Sequence, residues 1–378
     1  MKIGIITQPL HSNYGGLWQN YALQQVLSKM GHEVYTINKN SYDIYNDVSW
    51  FGALKLNVKR FIKKFLGLGY FPTYEERRVI RQHCTEFVKK HISATEMYIT
   101  QNDLLKIVSE YKFDAYIVGS DQIWRPCFAN NIYNDFLDFC QEQKGVKRLA
   151  YAASFGVGEW EFSKEQTKEC GKLIKLFDAV SVREDVGVKL CREHLGVQPE
   201  LVLDPTLLLE KKDYVRLIET AGETPSNGNL FCYILDNNSR IESLIPDIER
   251  KSSLVSFQVN SAKDNLALKR GDNIANYIIP SPIKWVRAFM DAKMVFTDSF
   301  HGCVFSIIFN KPFWVIGNKE RGNARFDSLL KMFDLEDRMI TLDELHSTEL
   351  STEIDWEKVN AIKKEWQQKS LHFIKSNL

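Results

Sequence analysis

No run of apolar residues in this chain approaches the ~20 that a helix needs to cross a bilayer, so a helical membrane span is not expected. No basic segment followed by an apolar one opens the chain at Met1, so no secretory leader is expected either. The seven cysteines (Cys84, Cys127, Cys140, Cys170, Cys191, Cys232 and Cys303) are odd in number, and no two stand as C-x-x-C. That spacing disfavours a disulfide framework and a zinc ribbon, and leaves free or buried thiols in a reducing cytoplasm as the expectation. An excess of charge of one sign is also missing: 49 Lys and Arg against 48 Asp and Glu leave a formal net charge of +1. Proteins that live on nucleic acid are usually strongly basic, so no nucleic-acid partner is expected. There is no internal repeat of fixed period and no low-complexity tract.

What is present describes a globular α/β chain. Hydrophobic residues make up 44% and charged residues 26%. A length of 378 residues exceeds one ordinary core and predicts two domains, or three. Lys2–Thr7 reads as a buried strand and Gln8–Gly16 as a turn-rich loop. Leu17, Tyr21, Leu23, Leu27 and Met30 then keep helical spacing up to Gly31, and Glu33–Ile37 is a second strand. This β–loop–α–β opening begins a doubly wound domain. Its glycine loop has neither the G-x-G-x-x-G nor the Walker spacing, yet it offers backbone N–H groups to an anion at a helix start.

The same alternation continues. Asp114–Val118, Arg148–Ala153, Ala179–Val182 and Leu201–Leu203 read as strands, each followed by a polar turn. The segment Gln166–Phe177 reads as a helix. A second series runs through Leu230–Leu235, Leu254–Val259, Met294–Thr297 and Phe313–Ile316. The expected organisation is an N-terminal Rossmann-like domain over 1–205 and a C-terminal one over 206–345. A helix within 346–378 would pack back across them. A separate segment places Leu54, Val58, Phe61, Ile62 and Phe65 on one helical face and Lys55, Lys59, Arg60, Lys63 and Lys64 on the other. It reads either as a surface helix with its stripe on the core, which is favoured, or as a contact to an anionic membrane.

Chemistry is expected at the strand ends, because open α/β sheets bind ligands there. Ser299-Phe300-His301-Gly302 follows the Met294–Phe296 run and leads into a helix; its histidine can exchange a proton near neutral pH. Asn13–Gly16, Ser120–Trp124, Arg183–Glu184, Asp298–Gly302 and Gly317–Arg325 would converge if both sheets aim their carboxyl ends at one cleft. Lys319, Arg321 and Arg325, with Arg183, would make that cleft cationic, suited to carboxylate and phosphate. Taken singly, Lys319, Arg321 and Arg325 each read better as part of a solvated loop. Trp124 reads either as a sugar-stacking ring or as a core aromatic.

Five motifs together carry a resemblance: Asn13-Tyr14-Gly15-Gly16, Gly119-Ser120-Asp121-Gln122-Ile123-Trp124, Val182-Arg183-Glu184-Asp185, Asp204-Pro205-Thr206 and Ser299-Phe300-His301-Gly302. In order and spacing this set resembles the polysaccharide pyruvyl transferase family. The resemblance implies a GT-B-like architecture of two Rossmann-like domains facing a cleft. It also implies transfer of a pyruvyl group from phosphoenolpyruvate to a hydroxyl pair of a cell-surface or exopolysaccharide glycan, giving a cyclic ketal. No metal or organic cofactor is implied. By the same resemblance His301 would be the acid/base and Arg183 would grip the donor. Apart from the resemblance, Asp121 would serve as a partner base or a sugar hydroxyl acceptor, and Asp298, three residues before His301, would orient the imidazole. Donor contacts would come from Arg183, Ser299, Gly302, Lys319, Arg321, Arg325, Gly15 and Gly16. Acceptor contacts would come from Asn13, Ser120, Gln122 and Trp124. The acceptor would be a glycan or a lipid-linked sugar met in the cytoplasm, with residues 55–64 available for contact at the inner face of the membrane. Two other readings stay open: a GT-B-type glycosyltransferase using a sugar nucleotide, and a non-catalytic glycan-binding relative.

Overall fold

The computed structural model describes residues 1–40, 62–63, 66, 68–236, 239–263, 268–317, 323–346 and 350–378. Lys319 and Arg321 lie outside the described residues, as does all of the basic amphipathic segment except Ile62 and Lys63.

Short apolar runs form two parallel sheets. The first contains β1 (Lys2–Ile6), β2 (Glu33–Thr36), β3 (Ala115–Val118), β4 (Lys147–Ala153), β5 (Ala179–Val182) and β6 (Glu200–Leu201), in the order β2-β1-β3-β4-β5-β6. The second contains β7 (Leu230–Tyr233), β8 (Ser256–Phe257), β9 (Met294–Thr297), β10 (Phe313–Ile316) and β11 (Met339–Ile340), in the order β11-β10-β9-β7-β8. The central strands β3, β7, β9 and β10 are buried along their whole length. That is why they read as continuous apolar runs rather than alternating ones: helices cover both faces.

The helices are α1 (Tyr14–Lys29), α2 (Tyr74–Ile80), α3 (Gln82–His91), α4 (Gln101–Tyr111), α5 (Lys164–Leu173) and α6 (Asp185–Leu190) in the first half. They continue as α7 (Lys211–Ala221), α8 (Ser239–Ser252), α9 (Pro282–Asp291), α10 (Phe300–Phe309), α11 (Ala324–Met332) and α12 (Trp356–Asn377). The two sheets form a GT-B-like pair of Rossmann-like domains. The strand order turns back on itself between β1 and β3 in the first sheet, and between β7 and β9 in the second. Such switch points open a crevice at the carboxyl ends of the strands.

The halves meet through α1, α9 and α10. Tyr14 stacks on Trp285 with ring centroids 5.4 Å apart, and its hydroxyl donates to the Pro280 carbonyl at 2.7 Å. Trp18 Nε1 donates to the Pro282 carbonyl at 3.2 Å, and both Trp18 and Trp285 are fully buried. The C-terminal helix α12 packs on the segment linking the halves: Gln367 Nε2 donates to the Leu207 carbonyl at 2.7 Å, and the Ser370 hydroxyl accepts the Leu203 N–H at 3.0 Å. Cys84, Cys140, Cys170, Cys191, Cys232 and Cys303 are buried free thiols, and Cys127 is exposed. Among the described residues no helix is long and apolar enough to cross a membrane.

Candidate active site

A cleft of about 600 Å³ lies between the two switch points. Asn13, Gly15, Asp121, Gln122 and Arg125 line it from the first domain; Ser299, Phe300, His301 and Arg325 line it from the second. Helices α1 and α10 both begin here. The Asn13 side chain caps α1 by accepting the Gly16 N–H at 3.2 Å, and its Nδ2 donates to Asp121 Oδ2 at 2.9 Å. One asparagine therefore ties the ends of β1 and β3 together at the switch point. Asp121 itself sits in the left-handed region (φ +60°), which Asp tolerates better than most residues. Ser299 caps α10, its hydroxyl accepting the Gly302 N–H at 3.4 Å. A β-carbon on Gly302 would overlap the Thr297 hydroxyl, so Gly302 serves close packing rather than ligand contact.

His301, one residue into α10, crosses from the second domain and lies on the backbone of Gly15. A β-carbon at position 15 would overlap the imidazole, so only glycine lets the two helix starts approach this closely. His301 Nε2 has no hydrogen bond and lies 3.6 Å from Asp204 Oδ2. Asp204, which follows β6, is thus the carboxylate facing the imidazole. Asp298 had been expected in that place. Its carboxylate instead accepts the Leu235 and Asp236 N–H groups, at 2.7 and 2.8 Å, and closes the turn after β7.

Beneath the cleft floor Arg183 stands among three carboxylates: Asp204 at 2.8 Å, Asp121 at 3.3 Å and Glu184 at 3.6 Å. Its side chain is 1% exposed and lies under Phe300, with the guanidinium carbon 4.4 Å from the ring centroid. Arg183 therefore does not reach the cleft surface. A buried cation needs compensating carboxylates, and here they surround it. Burial alone would raise the Asp204 carboxyl; His301, the Arg183 guanidinium and the Thr206 hydroxyl outweigh it and hold it below the usual carboxylate range. Burial pushes Glu184 up, with Arg183 opposing.

Arg325 is the contrasting cation. It lines the cleft, forms no ion pair among the described residues, and its Nε is buried without a hydrogen bond. Burial, and then the charge of Arg183, push it down to about 10. An unpaired guanidinium beside two helix N-termini suits an anionic ligand.

The expected acceptor residues divide. Asn13 and Gln122 line the cleft. Ser120 and Trp124 are fully buried. The Ser120 hydroxyl donates to Asp204 at 3.2 Å. Trp124 stacks on Phe136 with centroids 4.9 Å apart and donates to the Asp135 carbonyl at 3.0 Å. Its core reading is the one the fold adopts, because the indole fills the space behind β3. His11, Arg125, Tyr233 and Leu235, which no motif singles out, also line the cleft, as does Phe128. His11 lies in the turn-rich stretch, and Arg125 and Phe128 follow the G-S-D-Q-I-W motif within a few residues; that adjacency is the available signal. Burial, and then Arg81, push the His11 imidazole down to about 4. Among the described residues no group of three or more His, Cys, Asp or Glu side chains is placed to hold a metal ion.

A model of the family described as polysaccharide pyruvyl transferase matches residues 13–320. No curated protein matches the chain in sequence. Among solved structures, UDP-GlcNAc 2-epimerase from Methanocaldococcus jannaschii is 11% identical with a TM-score of 0.48, the match covering 98% of each chain. A glycosyltransferase from Rickettsia africae is 11% identical with a TM-score of 0.45, covering 100% of this chain and 93% of the other.

Proposed function

The chain belongs to the polysaccharide pyruvyl transferase family, and from that premise we propose that it transfers a pyruvyl group from phosphoenolpyruvate to two hydroxyls of a sugar in a cell-surface glycan, or in its lipid-linked precursor. One observation carries this reading: His301 and the unpaired Arg325 face one cleft at the starts of α1 and α10. The donor's phosphate and carboxylate need cations and N–H donors, and its reaction needs an acid/base at the same place.

The chemistry balances without an oxidant or reductant. The methylene carbon gains a proton and becomes a methyl group. Two sugar oxygens bond to the central carbon, and the bond from that carbon to the phosphate ester oxygen breaks. Of the two hydroxyl protons, one is accounted for on the methyl group and one on the departing phosphate. His301 is the proposed proton carrier; such a group contributes about 10²–10⁴-fold. Arg325 and the Gly15 N–H are proposed to hold the donor; the Gly16 N–H, expected to share that role, is taken by the Asn13 cap. Arg183 acts from below: it helps keep Asp204 ionised where it faces the imidazole, and it pairs with Asp121 beside Asn13.

Phosphoenolpyruvate should raise the unfolding temperature, since a ligand of the native state stabilises it. His301→Ala should keep that protection and the fold while losing pyruvyl transfer by about 10²-fold or more. Protection by sugar nucleotides with none from millimolar phosphoenolpyruvate would overturn the donor. Near-normal turnover in His301→Ala would remove its role.

A further inference from the structure

Two large apolar side chains stand half exposed in the cleft. Phe128 is 47% exposed and Leu235 is 48% exposed, one from each domain. Such residues inside a polar-rimmed cleft mark a surface that a ligand covers. Phe128 ends the turn Pro126–Phe128, and the Arg125 guanidinium carbon lies 5.0 Å from its ring centroid. Three of that guanidinium's five N–H groups are engaged: Nε and Nη2 each donate to Glu161 at 3.0 Å, and Nη1 donates to Gln122 Oε1 at 3.1 Å. Arg125 is therefore held in place by its neighbours. Its effect is to fix the aromatic ring at the cleft and to orient the Gln122 amide beside it. Gln122 is pinned further where its side chain presses on Gly156, a glycine at φ +78° whose β-carbon would overlap the amide.

A rigid aromatic platform with an amide at its edge matches one ligand chemistry well. A hexopyranose presents a flat face of C–H groups and an edge of hydroxyls; the face lies on an aromatic ring and the hydroxyls bond to amides. We infer that Phe128 and Leu235 clamp the acceptor as a hexopyranose ring, with Gln122 reading its hydroxyls. This rests on the proposed function for the identity of the acceptor. It replaces Trp124 with Phe128 as the sugar-stacking residue.

The test is a ligand-observed NMR titration of the full chain with methyl glucopyranoside, methyl galactopyranoside, methyl mannopyranoside and uridine. At least one hexoside should bind the wild type. Phe128→Ala should weaken that binding by about tenfold, a stacking contribution of about 1.4 kcal/mol. Phe128→Trp should restore it, and phosphoenolpyruvate should protect all three proteins from heat equally. Binding of uridine but of no hexoside, unchanged hexoside affinity in Phe128→Ala, or loss of donor protection along with hexoside binding would each overturn the clamp. Phe128-dependent hexoside binding without donation from phosphoenolpyruvate would leave the clamp standing and bring down the proposed function alone.

Discussion

The His301 imidazole rests where a side chain at position 15 would be, so a residue of the first domain sets the position of a side chain from the second. Gly15→Ala must displace the ring, because the added β-carbon would overlap its Nδ1 and Cγ. A displacement of about 1 Å at the reacting group costs on the order of 10²-fold in rate. Gly15→Ala should therefore lose turnover on that scale while circular dichroism reports an intact fold; unchanged turnover would mean that His301 has room the geometry denies it. Arg183 shows the same dependence on neighbours. The sequence placed a cation directly after an apolar strand. It could not show that Asp204, Asp121 and Glu184 all converge on it and hold it under Phe300.

The starts of α1 and α10 both face the site, and both are set by capping side chains. Asn13 does more than cap: the side chain that accepts the Gly16 N–H also donates to Asp121. Replacing an N-cap residue by alanine costs about 1 kcal/mol. Asn13→Ala should lower stability by that order in urea unfolding and also weaken protection by phosphoenolpyruvate, since the α1 start loses its anchor to β3. A stability loss with donor protection unchanged would mean that the α1 start does not hold the donor. At this scale the sequence was read well where runs are apolar and short. Met294–Thr297 and Phe313–Ile316 carry the boundaries expected for them, because full burial leaves a plain signal; Ala179–Val182 does so too, although only its second half is fully buried. Leu201–Leu203 and Leu254–Val259 gave strands of only two residues, Glu200–Leu201 and Ser256–Phe257. Edge strands end where pairing ends, and pairing depends on the neighbouring strand. The two-residue β11 at the other edge went unread for the same reason.

At the scale of the whole molecule, the largest of several clusters of buried apolar side chains runs from Ile5 and Leu23 in the first domain to Phe289, Val295 and Phe305 in the second, and includes Phe373 and Ile374 of α12. Interfaces between domains are usually more polar and let the domains move. A continuous core instead predicts one cooperative unfolding transition, with calorimetric and van't Hoff enthalpies in agreement. Two resolved transitions in the calorimeter would contradict it. The sequence by itself determined the class of fold, because strand runs and helical spacing are local properties of the chain. It also determined the motifs at the strand ends, because the polypeptide must leave each strand there. Tertiary structure alone decided which motif residues line the cleft. Ser120, Trp124 and Arg183 are motif residues enclosed by the fold, whereas His11 and Phe128 lie outside the emphasised positions and line the cleft. The reason is distance along the chain: Gly15 and His301 touch across nearly three hundred residues, and no local pattern encodes which side chains will close over a site and which will be left open to it.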